Sequence, residues 1–262
     1  MSRLKIGVRL ESLNLPLRPA LAEVGRMGAT GVQIDAVGDL SPSRLSQTGR
    51  RELRNLLRAH NLELSAVGCP LRRGLDEAED LQPRIEHVQK VLTLSYDLGP
   101  RIVVINAGAV PQKDDDPRGR LLTESLQTLG QQGDRVGAVL ALETGLEPGA
   151  SLAAFLARFD TGSLGVNFDP ANLLVHGFDI IDSLRALNRR IVHTHAKDAR
   201  RASPSRAAQE VPLGHGDIDW LEYLGVLDEI AYRGWLTIER ESGQNRVAEI
   251  AAGVAFLRRL TG

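Results

Sequence analysis

Apolar positions along the chain fall into two alternating patterns. Short runs rich in Val, Ile and Leu, bounded by Gly, Pro or polar turns, predict strands. They are KIGVRL (5–10), GVQIDAV (31–37), LELSAVG (62–68), RIVVINAG (101–108), AVLALETG (138–145), LGVNFDP (164–170), RIVHTHAKD (190–198) and WLTIERE (235–241). Between them apolar residues recur three and four apart, the spacing of an amphipathic helix. Examples are LRPALAEVGRMG after the first run, RRELRNLLRAH after the second, RIEHVQKVLTLSYDLG after the third and DWLEYLGVLDEIAYRG before the last. RVAEIAAGVAFLRRL predicts a terminal helix, and Gly28, Gly99 and Gly234 stand where a helix stops before the next strand. Eight such repeats in 262 residues predict an α/β fold of parallel βαβ units, and a (β/α)8 TIM barrel suits that number better than an open sheet. The first strand runs into VRLESLNLP, without the glycine-rich phosphate loop of a doubly wound sheet. No linker divides the chain, so residues 1–262 are expected to form a single domain.

Polar residues sharpen this picture, because a barrel of this kind collects its chemistry at the C-terminal ends of its strands. The fifth strand ends in Leu142-Glu143-Thr144 and the sixth in Phe168-Asp169-Pro170. The seventh ends in His195-Ala196-Lys197 and the eighth in Ile238-Glu239-Arg240. Four consecutive strands thus bring one metal-capable side chain each to one rim. Two Glu, one Asp and one His suit a single divalent cation; carboxylates favour Mn²⁺, Mg²⁺ or Co²⁺, and the imidazole admits Zn²⁺. His193, His195 and Lys197 alternate on one face of their strand. Three potential cations there are costly unless acids or a metal lie opposite, and the rim carboxylates supply that. His193, one layer deeper, is expected to be a hydrogen-bonded core histidine.

Composition narrows the partners. A formal net charge of −1, with charge mixed along the chain, offers no basic stripe for a nucleic acid. The one cysteine, Cys69, has no partner for an internal disulfide, which suits a reducing compartment. MSRLKIGVRL lacks a signal pattern, and no apolar run approaches the ~20 residues that span a bilayer. A cytoplasmic protein without membrane association is expected.

ALETG, VNFDPAN, VHTHAKD, GHGDIDW and LTIERE resemble the sugar phosphate isomerase/epimerase superfamily, the xylose isomerase-like TIM barrels. That group includes ketose 3-epimerases, hydroxypyruvate isomerases, inosose dehydratases and the zinc endonucleases of base-excision repair. The resemblance runs from the first strand to the last helix. It implies that Glu143, Asp169, His195 and Glu239 bind one metal, and that Glu143 and Glu239 act as acid and base on opposite sides of a small sugar or sugar-derived substrate. The expected reaction is a metal-dependent isomerisation or epimerisation, by proton abstraction next to a carbonyl through an enediolate. Expelling a β-hydroxyl from the same enediolate would make a dehydratase of the inosose or dehydroshikimate type, and a non-catalytic carbohydrate-binding barrel is the third class. Repair chemistry is not expected, because those endonucleases need further histidines where this chain reads AVGCP and VINAG.

Five residues are candidates for holding substrate. Arg201, six residues after His195, matches an arginine of the ketose epimerases, and Asn172 stands where they carry a substrate-binding histidine. Lys197 can polarise a substrate oxygen or pair with a carboxylate. Asn106 can donate to a sugar hydroxyl or cap its strand, and His176 follows the VNFDPANLLVHG turn. Loops 69–83 and 199–218 are long enough to cover a small substrate. Resembling enzymes are often dimers or tetramers, which raises homo-oligomerisation as an expectation.

Overall fold

A computed structural model describes residues 4–111, 113 and 115–262. The strands β1 (Lys5–Arg9), β2 (Gly31–Asp35), β3 (Glu63–Gly68), β4 (Ile102–Ile105), β5 (Val139–Glu143), β6 (Leu164–Phe168) and β7 (Ile191–Ala196) follow one another around a ring. The chain then leaves the ring as a short antiparallel hairpin, β8 (Asp198–Arg200) and β9 (Gln209–Val211). β10 (Trp235–Ile238) returns to close the barrel between β7 and β1, with Val8 opposite Ile238. All eight neighbouring pairs of the ring are parallel.

The connections are helical: α1 (Leu17–Met27), α2 (Gln47–Ala59), α3 (Leu81–Leu98), α4 (Pro117–Val136), α5 (Gly149–Leu156), α6 (Pro170–Val175), α7 (Ile180–Ala186), α8 (Trp220–Glu229) and α9 (Arg246–Thr261). Side chains of Ser46, Asp116, Asp169, Asp179, Asp219 and Asn245 accept backbone N–H bonds at the starts of α2, α4, α6, α7, α8 and α9. These groups would otherwise lack partners. α1 buries Ala20, Leu21 and Val24, the apolar stripe its spacing predicts. Among the described residues, no helix is long and apolar enough to cross a membrane.

The strands are shorter than the sequence expectation, β2 ending at Asp35, β4 at Ile105 and β10 at Ile238, and two differences have a visible cause. The first strand stops at Arg9, and Leu10–Leu13 form a 3₁₀ turn. The run 190–198 breaks after Ala196, because Asp198 turns its carboxylate back onto the loop that follows. Loop 199–218 accordingly contains a hairpin.

The main apolar core lies between ring and helices, with Val8, Val166 and Leu236 packed in one cluster with Leu21, Leu126 and Val254. Ala66, Val104 and Ala141 form a second, small cluster. They share strand faces with Gly68, Asn106 and Glu143, two positions further on. Inside the ring a chain of buried polar side chains replaces aliphatic packing. Ser65 Oγ lies 3.2 Å from Thr237 Oγ1, which lies 2.8 Å from His193 Nε2. His193 Nδ1 is 2.8 Å from Asn167 Oδ1. His193 is therefore a hydrogen-bonded core histidine, and burial, then His195, holds its pKa well below the ordinary range.

Candidate metal centre

Each candidate ligand is delivered by a strand end. Glu143 is the last residue of β5, His195 lies on β7, and Asp169 and Glu239 directly follow β6 and β10. Asp169 is also the N-cap of α6. Its Oδ1 accepts the Asn172 N–H at 3.0 Å, so the DPAN turn commits one oxygen to the helix and leaves Oδ2 over. Thr144 Oγ1 fastens the backbone of Asp169 from both sides, accepting its N–H at 2.8 Å and donating to its carbonyl at 3.1 Å.

The four side chains meet: one ligand atom from each lies within 4.8 Å of all the others. His195 Nδ1 is 2.9 Å from Glu143 Oε1, 3.2 Å from Glu239 Oε2 and 3.7 Å from Asp169 Oδ2. On the other side of the ring, His195 Nε2 donates to Gln33 Oε1 at 3.0 Å. That contact directs the Nδ1 lone pair toward the carboxylates, as a metal-binding histidine requires. Asp169 is wholly buried and its Oδ2 has no hydrogen-bond partner. A buried carboxylate oxygen without a donor is costly, and a cation among four such donors removes that cost. The donor set therefore fits one divalent ion.

Charge within the site is unevenly distributed. Burial pushes the Glu143 carboxyl up, and the facing imidazole takes back only part of the rise. Burial opposes the charge of Glu239 too, but His195, Lys197 and Arg9 hold that carboxyl well below the carboxylate range. Burial also opposes a charged His195; Glu239, then Asp169 and Glu143, outweigh it and raise the imidazole well above its ordinary value.

A cavity of about 220 Å³ opens beside the cluster, lined in part by Arg9, Gln33, Asp35, Asn106, Glu143, His195 and Glu241. A larger cleft of about 710 Å³ lies at the opposite strand ends, lined by Arg51, Arg54 and Arg58 of α2 and by Gly99 and Pro100. It holds no cluster of metal-capable side chains among the described residues.

The substrate-binding candidates separate. Lys197 is buried, with Nζ 3.3 Å from Glu239 Oε2, 2.9 Å from Glu241 Oε2 and 3.7 Å from Asp169 Oδ2. It also donates to Asn172 Oδ1 at 3.3 Å, which brings Asn172 to the cluster. Asn106 is exposed on the cavity lining. His176 and Arg201 are exposed and outside that lining; His176 Nδ1 lies 2.8 Å from Asn172 O, and the Arg201 N–H is bound to Asp217.

Sequence reasoning missed Arg9, Gln33, Asp35 and Asn167. Arg9 bridges Glu239 and Asp35, while Asn167 Nδ2 lies 3.1 Å from His195 Nδ1 and 3.3 Å from Glu143 Oε1. A signal was present in GVQIDAV, where Gln33 and Asp35 alternate with Val32 and Ile34 in a strand without an exposed residue. Polar residues repeating every second position of a buried strand mark the inner face of a barrel.

Comparison with known proteins agrees with this architecture. The rhizopine catabolism protein MocC of Rhizobium meliloti is 26% identical over 88% of this chain and 76% of its own length. An inosose dehydratase of Lacticaseibacillus casei is 26% identical over 50% of this chain and 49% of its own. An uncharacterized protein of Methanocaldococcus jannaschii is 24% identical over 62% of this chain and 58% of its own. The chain thus spans about half the length of several curated relatives it matches. Among solved structures, a xylose isomerase domain protein from Planctomyces limnophilus superposes with a TM-score of 0.86 at 26% identity, covering 98% of this chain and 96% of that one. Two others share the fold: a D-tagatose 3-epimerase-like protein (TM-score 0.79, 20% identity, 98% of both chains) and a xylose isomerase-like barrel from Mycobacterium smegmatis in complex with magnesium (0.77, 17%, 100% and 97%). With a family model matching residues 21–260, this chain belongs to the xylose isomerase-like TIM barrel family.

Proposed function

We propose that this chain is an enzyme that removes the proton beside the carbonyl of a small sugar or sugar-derived substrate, acting as an isomerase or epimerase. One observation carries the reading. Glu143 sets Oε1 against His195 and Asn167, while its other oxygen makes no hydrogen bond among the described residues, and the side chain lines the cavity. Glu143, Asp169, His195 and Glu239 would hold a divalent ion, which when bound acidifies a C–H next to a carbonyl.

Within that frame Glu143 is the base, and burial, which raises its proton affinity, favours its taking the proton. Lys197, which the carboxylates of Asp169, Glu239, Glu241 and Glu143 keep protonated against the cost of burial, stabilises negative charge growing on a substrate oxygen. Returning the proton from Glu143 to the neighbouring carbon isomerises the substrate. Delivery from the other side by Glu239 epimerises it.

A dehydratase of the inosose type is the second reading, and a specific observation favours it. Both oxygens of Glu239 are engaged, Oε1 by Arg9 and Oε2 by His195 and Lys197. Glu239 must break those contacts to serve as a second acid, whereas Lys197 already carries a proton that a departing β-hydroxyl can take. The inosose dehydratase relative supports the same reading.

The test is solvent-deuterium exchange by Mn²⁺-loaded protein on ketoses, hydroxypyruvate and inosose. Exchange without loss of water supports the isomerase or epimerase, and loss of water supports the dehydratase. Silence across the panel overturns both in favour of a carbohydrate-binding barrel. Glu143→Gln is expected to lower the rate by about 10²–10⁴-fold.

A further inference from the structure

The cavity has a second side, formed by Arg9, Gln33, Asp35 and Gly68 of β1–β3. Among the described residues of its lining Arg9 is the only Lys or Arg, and both of its terminal nitrogens are occupied. Nη2 lies 2.6 Å from Asp35 Oδ2, and Nη1 is bonded to Glu239. Lys197, beside the cavity, is held by Glu239, Glu241 and Asp169. Both of these cations are therefore tied to carboxylates. Arg72 and Arg201 are exposed and outside the lining.

Free hydrogen-bonding capacity in the lining is of another kind. Asp35 is 4% exposed, and its Oδ1 has no hydrogen-bond partner. That oxygen sits against Gly68, where a Cβ would come within 2.1 Å of it. Gln33 is 1% exposed. Its carbonyl serves His195, while its amide nitrogen makes no hydrogen bond among the described residues. The Asn106 carboxamide on the same lining is likewise without a partner there. One acceptor carboxylate and two carboxamides recognise hydroxyl groups. They cannot neutralise a phosphate or carboxylate, which on this side of the cavity, across from the metal cluster, would meet Asp35 and Glu241 with no unpaired Lys or Arg among the described residues of the lining to offset it.

We propose that the substrate is an uncharged polyhydroxylated carbonyl compound, and that Asp35 is a substrate-binding residue accepting a hydrogen bond from a hydroxyl remote from the reacting carbon. The Gln33 and Asn106 amides take neighbouring hydroxyls. This rests on the reading of the reaction given above and narrows it. Sugar phosphates and dehydroshikimate are excluded, while neutral ketoses and inosose remain.

Non-reacting probes test it on the whole chain loaded with Mn²⁺. Titration calorimetry would compare myo-inositol and sorbitol with their own monophosphates. The neutral probes are expected to bind at least tenfold more tightly. Asp35→Asn is expected to weaken them by roughly tenfold to a hundredfold, the worth of a hydrogen bond to a charged acceptor, with Mn²⁺ stoichiometry unchanged. Tighter binding of the phosphates, no binding of either class, or undiminished binding by a folded Asp35→Asn protein would overturn the proposal. Should that variant fail to fold, the comparison on the parent chain decides. Failure to take up Mn²⁺ would instead sink the reaction itself, and the same probes titrated into metal-free protein would still test the lining.

Discussion

His195 competes for a cation with its own proton. Its pKa is raised by the surrounding carboxylates and that of Glu143 is raised by burial, so both groups hold protons at pH values where free side chains would have lost them. A metal ligand must be deprotonated; binding therefore releases protons, and affinity rises with pH. Mn²⁺ titrations in buffers of different ionisation enthalpy are expected to show about one proton or more released near pH 7. Binding heats independent of the buffer would contradict this. A second titrating group belongs to the fold rather than to the ligands. Glu11 accepts the Asp35 N–H at 2.8 Å with Oε1, its Oε2 is buried without a partner, and burial together with the Asp35 charge pushes its pKa up to about 7. The folded chain thus keeps a proton that the unfolded chain gives up from pH 4.5 upward. Stability from this group is full below that value and falls as pH rises toward 7. Glu11→Gln removes the dependence. In chelator, its stability relative to the parent is expected to improve by ~2 kcal/mol between pH 4.5 and pH 8, after discounting for partial exposure, as read by urea unfolding at both pH values.

Among the elements, the loop after β7 shows most clearly what two sequence motifs do together. Asp198 is 1% exposed, and its Oδ2 accepts the N–H groups of Gly214 and Gly216 and the Trp220 indole N–H. The aspartate of HTHAKD therefore anchors GHGDIDW. Gly216 is required, because a Cβ there would lie 1.9 Å from Asp198 Oδ1. Glu210 on β9 accepts the N–H groups of Glu241 and Ser242 and pairs with Arg240, joining the hairpin to the rim beside Glu239. Asp198→Ala is expected to cost ~3 kcal/mol or more, since four hydrogen bonds to a charged acceptor are lost, and to expose residues 199–218 to limited proteolysis while the barrel stays resistant. Cleavage no faster than in the parent would refute that role. The eight strands, and the placing of Glu143, Asp169, His195 and Glu239 at four strand ends, were legible in the sequence because each depends on local spacing, whereas GHGDIDW stood out only through the family resemblance. Arg9 was not legible, because its partners Asp35 and Glu239 become neighbours only when β10 pairs with β1. The end of β7 was misjudged for a related reason: RIVHTHAKD carries strand chemistry throughout, and only the contacts of Asp198 pull the chain out of the ring.

For the molecule as a whole, the ligand cluster exists only where β5, β6, β7 and β10 pair side by side in the ring. Glu143, Asp169, His195 and Glu239 come from the ends of these four separate strands and meet only when the strands pair. The unfolded chain therefore offers no comparable site, and any ion that binds the cluster stabilises the closed barrel by mass action. At one hundred times its dissociation constant that gain is about 2.7 kcal/mol, which for a chain of this size corresponds to a rise in Tm of roughly 5–10 °C. Asp169→Asn isolates the effect, because the amide oxygen can still accept the Asn172 N–H that caps α6 while the charge of Oδ2 is gone. In chelator the variant sets its own baseline, because it loses both a buried carboxylate oxygen without a hydrogen bond and that oxygen's 3.7 Å ion pairs with Lys197 and His195. In saturating Mn²⁺ the parent is expected to gain the full shift and the variant little of it. Equal shifts in the two proteins would mean that the ion binds elsewhere, and that convergence of these strand ends serves some purpose other than holding a metal.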